Sequence, residues 1–205
     1  MKILSICLLL TVILLVSCTK TIDLKEGDIV FQESLSSQSK AIQLATKSKY
    51  SHMGIVLKKD GKLSVYEAGE IIKYAPLREW VRKGKDGKYV AKRLKNSEQI
   101  LTEEAIKQMR KSSEKYIGKK YDLYFEWSDD KIYCSELVWK IYKDALAMEI
   151  GKLQIFSEFD LNNAVVKSKL KERFGSKIPT NEPVISPASM FDSDKLITVY
   201  SDYSE

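Results

Sequence analysis

The chain carries a single histidine, His52, within Ser51-His52-Met53-Gly54-Ile55-Val56, and one cysteine far from its N-terminus, Cys134, within Tyr133-Cys134-Ser135-Glu136-Leu137-Val138. A thiol attacks an acyl carbon well only as the thiolate. An imidazole, with an unperturbed pKa of about 6.5, is the usual neighbour that keeps it ionised. The pair therefore points to a thiol enzyme working through a covalent acyl intermediate. One histidine and one free thiol cannot make a closed set of metal ligands at the usual spacings. No glycine-rich phosphate loop occurs. The chemistry has to come from side chains, without a metal or other cofactor.

The elements around these residues can carry them to one place. His52 to Leu57 and Leu63 to Ala68 are β-rich runs joined through Asp60-Gly61, a strong tight-turn signal. A two-residue turn there makes residues whose numbers sum to 121 face each other, so that Glu67 stands opposite Gly54. His52 then lies two residues from that pair, within diagonal reach of Glu67 on one sheet face. Cys134 heads a helix, because Leu137, Val138, Ile141, Tyr142 and Ala145 recur behind it at helical spacing. The positive end of the helix dipole favours a thiolate. Glu136 in the first turn opposes it, leaving much of the activation to the histidine.

Further elements follow the same logic. Gly27 to Gln32 reads as a turn into a strand, Ser39 to Thr46 as a short helix, and Ile71 to Tyr74 and Lys88 to Leu94 as strands. Pro76 opens a short helix between those two strands. Thr102 starts an amphipathic helix with apolar positions at Ile106, Met109, Tyr116 and Ile117, interrupted by Ser113 and stopped by Gly118. Residues 151–175 are expected to hold a helix capped by Ser157 or Asp160, with Leu161, Ala164, Val165 and Leu170 partly buried. Pro179, Pro183 and Pro187 mark an irregular segment that either crosses the surface or lines a substrate cleft. A last strand runs from Lys195 to Tyr200.

The first residues read differently. Met1-Lys2 precedes a short apolar run ending in Leu15-Val16-Ser17-Cys18, too short for a comfortable membrane span of roughly 20 residues. The tetrapeptide resembles the bacterial lipobox. It predicts a signal peptide over 1–17, lipidation of Cys18, a tether over 18–26 and a catalytic domain over 27–205. Thr19 after the cysteine predicts export to the outer membrane, facing the periplasm of the cell envelope. With Cys7 cleaved off and Cys18 acylated, Cys134 has no disulfide partner within the chain. Losing Lys2 leaves one fewer than the 34 Lys and Arg against 28 Asp and Glu, a net charge of +5. That suits an anionic membrane or wall polymer, and no basic aromatic stripe suggests nucleic acid.

Gly27-Asp28-Ile29-Val30-Phe31-Gln32, Tyr50-Ser51-His52-Met53-Gly54-Ile55-Val56, Val65-Tyr66-Glu67-Ala68, Gly118-Lys119-Lys120-Tyr121-Asp122 and the Cys134 motif together resemble the circularly permuted papain-like amidases of the YaeF/YiiX type. These are relatives of the NlpC-type wall peptidases. The resemblance implies an α+β, permuted papain-like fold, in which an antiparallel sheet with the His-bearing strand first packs against the Cys-bearing helix. It implies Cys134 as nucleophile, His52 as general base and later acid, and Glu67 as the group orienting the imidazole, with Glu70 close enough to compete for that role. Tyr121, where relatives carry a tyrosine facing the active site, would join the Cys134 N–H in stabilising an oxyanion, or else simply pack.

The expected function is hydrolysis of an amide or related acyl bond. The expected partner is a peptidoglycan-derived peptide or a lipid acyl substrate, met at the membrane that lipidated Cys18 would provide. Tyr121, Tyr124, Phe125 and Trp127 could line an acyl site or pack a core. Two other functions use the same features: a non-catalytic lipid- or peptide-binding module, and an acyltransferase differing only in its acceptor.

Overall fold

The computed structural model describes residues 23–203, so the signal segment and Cys18 lie outside the described residues. The chain runs β1 (Ile29–Gln32), α1 (Ser39–Thr46), β2 (His52–Lys59), β3 (Lys62–Ala68), β4 (Ile72–Pro76), α2 (Leu77–Arg82), β5 (Val90–Leu94), α3 (Ser97–Ile100) and α4 (Glu103–Glu114). It continues through β6 (Lys120–Tyr121), β7 (Lys131–Ile132), α5 (Cys134–Leu146), β8 (Gln154–Ile155), α6 (Ala164–Phe174), β9 (Pro183–Val184), α7 (Pro187–Phe191) and β10 (Leu196–Ser201). One antiparallel sheet in the order β10-β5-β1-β2-β3-β4 dominates, and α5 packs on β2 and β3 with α4 beside it. The architecture is α+β, as expected.

The β2–β3 hairpin owes its register to its turn. Asp60 and Gly61 take φ of 50° and 76°, both left-handed, which is what a two-residue turn matching the twist of its strands requires. The pairs Ile55↔Tyr66, Val56↔Val65 and Lys59↔Lys62 follow, in the register that the Asp-Gly signal predicts. Side chains alternate accordingly. Met53, Ile55, Leu57, Tyr66 and Ala68 join the large core beneath α5, whereas Val56 and Val65 join a smaller cluster around Trp80 on the opposite face. Gly54 lets the strands approach: a Cβ there would lie 2.5 Å from Val65 Cγ1 and 2.9 Å from the Tyr66 carbonyl.

Helix α4 starts where expected, with the Thr102 hydroxyl accepting the Ala105 N–H at 3.3 Å. It stops at Glu114, however, and Ile117 is half exposed instead of facing the core. Helical spacing stops predicting burial once the chain leaves helical geometry. Helix α6 likewise departs from expectation. Ser157 falls in a separate 3-10 turn over Phe156–Glu158, and Asp160 caps a local turn by accepting the Asn162 N–H. Asn163 is the actual cap, accepting from Val165 N at 2.9 Å. Burial passes to Val166 and Leu170 and leaves Ala164 and Val165 exposed.

Residues 23–26, the end of the expected tether, lie on the domain. Leu24 enters the smaller core, Arg93 donates to the Asp23 carbonyl, and Glu26 pairs with Arg110. Beside them, fully buried Asp28 accepts two hydrogen bonds from Arg93 at 2.7 and 2.8 Å and one from the Lys25 N–H. The Gly-Asp motif thereby ties β1 to β5.

Candidate active site

His52 opens β2 and Cys134 opens α5, so the site forms where one end of the sheet meets the first turn of the helix. Glu67 Oε2 lies 2.6 Å from His52 Nε2, which leaves Nδ1 as the ring nitrogen for the Cys134 sulfur. Glu67 is buried at 1% exposure, and its second oxygen accepts from Lys83 Nζ at 3.2 Å. The imidazole stacks on Trp80 with centroids 5.9 Å apart. The competing carboxylate, Glu70, is exposed, and its contribution is a backbone carbonyl that accepts the Tyr121 N–H at 3.1 Å.

Electrostatics make the thiol and imidazole an ion pair. Burial opposes charge on His52, but hydrogen bonds to Cys134 and Glu67 and the charge of both raise its pKa to about 10. Burial likewise pushes the Cys134 thiol up. That push is outweighed by the hydrogen bond and charge of His52, the Met53 backbone N–H and the Tyr121 hydroxyl, and the thiol ends below its ordinary value. Tyr121 is itself held protonated, first by burial and then by the neighbouring thiolate. It therefore acts as a donor. Glu136 opposes the thiolate less than its position suggests. It is buried, paired with Lys140 at 2.8 Å, and burial lifts its pKa to about 8.

Cys134 is only 2% exposed, yet its side chain borders an open cavity of about 90 Å³. The walls are almost wholly apolar. Ala41, Phe125, Phe156, Val166, Leu170 and Val184 contribute, from α1, the residue 122–127 loop, the Phe156–Glu158 turn, α6 and β9. Of the four aromatics suggested for an acyl site, Tyr121 and Phe125 line the cavity, while Tyr124 packs on Phe174 and Trp127 on Trp139. The proline-marked segment lines it too. Its Ile185 is pinned to α5, donating its N–H to Tyr133 Oη at 3.1 Å and accepting from Ser135 Oγ at 2.8 Å.

Sequence reasoning missed several groups that support the site. Met53 contributes only a backbone N–H, which no side-chain pattern reveals. Gln38 hydrogen bonds the Tyr121 hydroxyl and accepts from Arg173 Nη2 at 3.2 Å. Lys83 reaches Glu67 from beyond α2. Gln38 and Lys83 come from distant parts of the chain and belong to no motif, whereas Met53 follows His52 directly but acts through its backbone. The arrangement as a whole can hold a thiolate, present a cation beside it, and offer two donors next to the sulfur, the first being the Tyr121 hydroxyl. The second donor is the N–H of Cys134 itself, which opens α5 and so has no intrahelical acceptor.

A family model described as permuted papain-like amidase enzyme, YaeF/YiiX, C92 family, matches residues 23–200. The chain is 47% identical over 177 residues to the Escherichia coli (strain K12) protein YiiX, covering 86% of each. A crystal structure of yiiX from Escherichia coli O157:H7, described as a metalloprotein, superposes with a TM-score of 0.84 at 47% identity. The superposition covers 88% of this chain and 98% of that one.

Proposed function

The chain belongs to the C92 family of permuted papain-like amidases, and on that premise we propose that it is a cysteine hydrolase cleaving an amide or related acyl bond through a thioester on Cys134. The observation that carries this reading is the shared placement of Cys134, His52 and Glu67, with one imidazole nitrogen on the carboxylate and the other left for the sulfur. The thiolate attacks the acyl carbon, and the resulting oxyanion is met by the Cys134 N–H and the Tyr121 hydroxyl. His52 gives its Nδ1 proton to the departing amine or alcohol, leaving the acyl group on sulfur. Water then loses a proton to Nδ1 as it attacks the thioester, and the thiolate departs with the acid released. Glu67 accepts the Nε2–H throughout, which fixes the ring and stabilises its charge.

A lipid-derived acyl group suits the cavity better than a wall peptide, because the walls beside the sulfur offer apolar contacts and few polar partners for peptide groups. The lipobox-like Leu15-Val16-Ser17-Cys18 supports a lipid anchor in the cell envelope, bringing the cavity to a membrane. The yiiX protein of Escherichia coli O157:H7 is described as a metalloprotein. Here the donor set does not fit a resident ion: among the described residues no three His, Cys, Asp or Glu side chains cluster as ligands, and the one histidine already serves Glu67 and Cys134.

The test is intact-mass analysis of the full chain after brief exposure to an acyl p-nitrophenyl ester. The expected result is an acyl adduct on Cys134 that vanishes in Cys134→Ser and is slowed in His52→Ala. Equal labelling of wild type and His52→Ala would remove the proposed pair.

A further inference from the structure

The cavity beside Cys134 holds one feature that hydrolysis of a neutral acyl bond does not use. Among the described residues no aspartate or glutamate lines it, whereas Lys169 and Arg173, both from α6, do. Lys169 is already paired, its Nζ lying 2.7 Å from Glu172. Arg173 is not: among the described residues its one hydrogen bond goes to the neutral Gln38 carbonyl, and no carboxylate is in ion-pair range. The acids that act on it from a distance are committed elsewhere, Glu172 to Lys169 and buried Asp122 to the backbone N–H groups of Tyr124 and Glu126.

The guanidinium is nevertheless held in place. It is half-buried, lies over the Phe125 ring at 5.5 Å, and is bonded to Gln38, which also holds the Tyr121 hydroxyl that reaches the sulfur. A guanidinium carries five N–H donors in a rigid fork suited to two-oxygen anions. Here only one donor has a protein acceptor, in a wall otherwise poor in polar groups. Leaving a cation there without a counter-ion is costly, and a ligand anion would remove that cost.

We propose that Arg173 is a specificity-determining residue, binding a carboxylate or phosphate on a substrate whose apolar part fills the cavity. The inference rests on the hydrolase reading and narrows its substrate class to anionic amphiphiles. The Arg173–Gln38–Tyr121 chain puts the anion on the same wall as the reacting carbonyl, so recognition of one end of the substrate aligns the other with the sulfur.

The test titrates octyl phosphate, octanoate and octanol into the full chain bearing Cys134→Ser, with and without Arg173→Gln or Arg173→Lys, and follows binding by calorimetry. Either anion should bind about tenfold or more tightly than octanol, with an advantage that fades in salt, disappears in Arg173→Gln and partly survives in Arg173→Lys. Preference for the phosphate assigns a phospholipid-like source, and preference for octanoate a carboxylate-bearing one. Octanol binding as tightly as both anions overturns the proposal in the Cys134→Ser protein alone, whether or not the arginine variants fold. An anion advantage that persists in folded Arg173→Gln also overturns it. Wild-type chain treated with p-nitrophenyl octanoate reports the parent reading separately: lack of an octanoyl adduct on Cys134 would sink the hydrolase, while the titrations still judge the anion site.

Discussion

His52 and Glu67 do not face each other across the β2–β3 hairpin, yet their side chains meet at 2.6 Å. The register that pairs Ile55 with Tyr66 places Glu67 opposite Gly54, and the missing side chain there leaves the carboxylate free to lean along the diagonal to the imidazole. A turn, a glycine and two functional groups are thus one design.

Gly54→Ala tests that design through stability. The added methyl would press on Val65 and on the Tyr66 backbone, an overpacking cost of about 1–3 kcal/mol. For a domain of this size that lowers the melting temperature by roughly 2–12 °C, measurable by circular dichroism. A melting curve superimposable on wild type would mean the strands have room to spare.

The thiol should titrate as one half of an ion pair. Cys134 is lowered, so its thiolate is lost only when pH falls through a value below that of an ordinary thiol. His52 is raised to about 10, so the imidazolium is lost as pH rises through that value. The pair exists only between those limits, and the stability it adds is confined to the same window. Iodoacetamide should therefore alkylate Cys134 at a rate nearly flat across neutral pH. In His52→Ala the rate should instead climb toward the alkaline side, as for a free thiol of pKa about 8.5. Two matching profiles would rule out the pairing.

Glu67 and Glu70 should behave differently. Glu67→Gln removes the charge that helps hold His52 protonated, so the alkaline limit of activity should move below about 10 and turnover should drop. Glu70→Gln changes an exposed side chain whose only described tie to the site is through its backbone, and its pH–rate profile should overlay wild type. A shift in the Glu70 variant without one in the Glu67 variant would reverse the assignment.

Tyr121→Phe keeps the ring in the cavity wall and deletes the hydroxyl. As loss of one oxyanion donor it should lower kcat by about 10²–10³ with little change in KM. It should also raise the Cys134 pKa, because the hydroxyl donates to the sulfur. Steady-state kinetics paired with the alkylation profile would check both, and a kcat within a factor of about two of wild type would reduce Tyr121 to packing.

Much of this geometry was legible in the residues. Asp60-Gly61 set the hairpin register and so brought histidine and carboxylate within range, the apolar spacing behind Cys134 announced α5, and the family resemblance implied that this helix packs with its thiol beside them. The cavity was less legible. Helix α6 buries only Val166 and Leu170, because it roofs a hollow instead of packing a solid core, and so its apolar pattern is weak and its cap easily misplaced. Gln38 and Arg173 sit at the start of α1 and on α6 respectively, and nothing short of the packed fold puts them in contact. Ile117 misled for the opposite reason, since its spacing belongs to a helix that has already ended.

The Cys134 sulfur and the His52 ring that bonds it reside on separate building blocks, one leading a helix and the other leading a strand of the sheet it packs against. Neither block alone perturbs the thiol by this route, because the imidazole, the Met53 amide and the Tyr121 hydroxyl all arrive from outside the helix. A newly made chain therefore carries a cysteine no more dangerous to its surroundings than any other. On the proposed pairing, reactivity should switch on when helix and sheet dock, and alkylation speed at neutral pH would then gauge correct maturation.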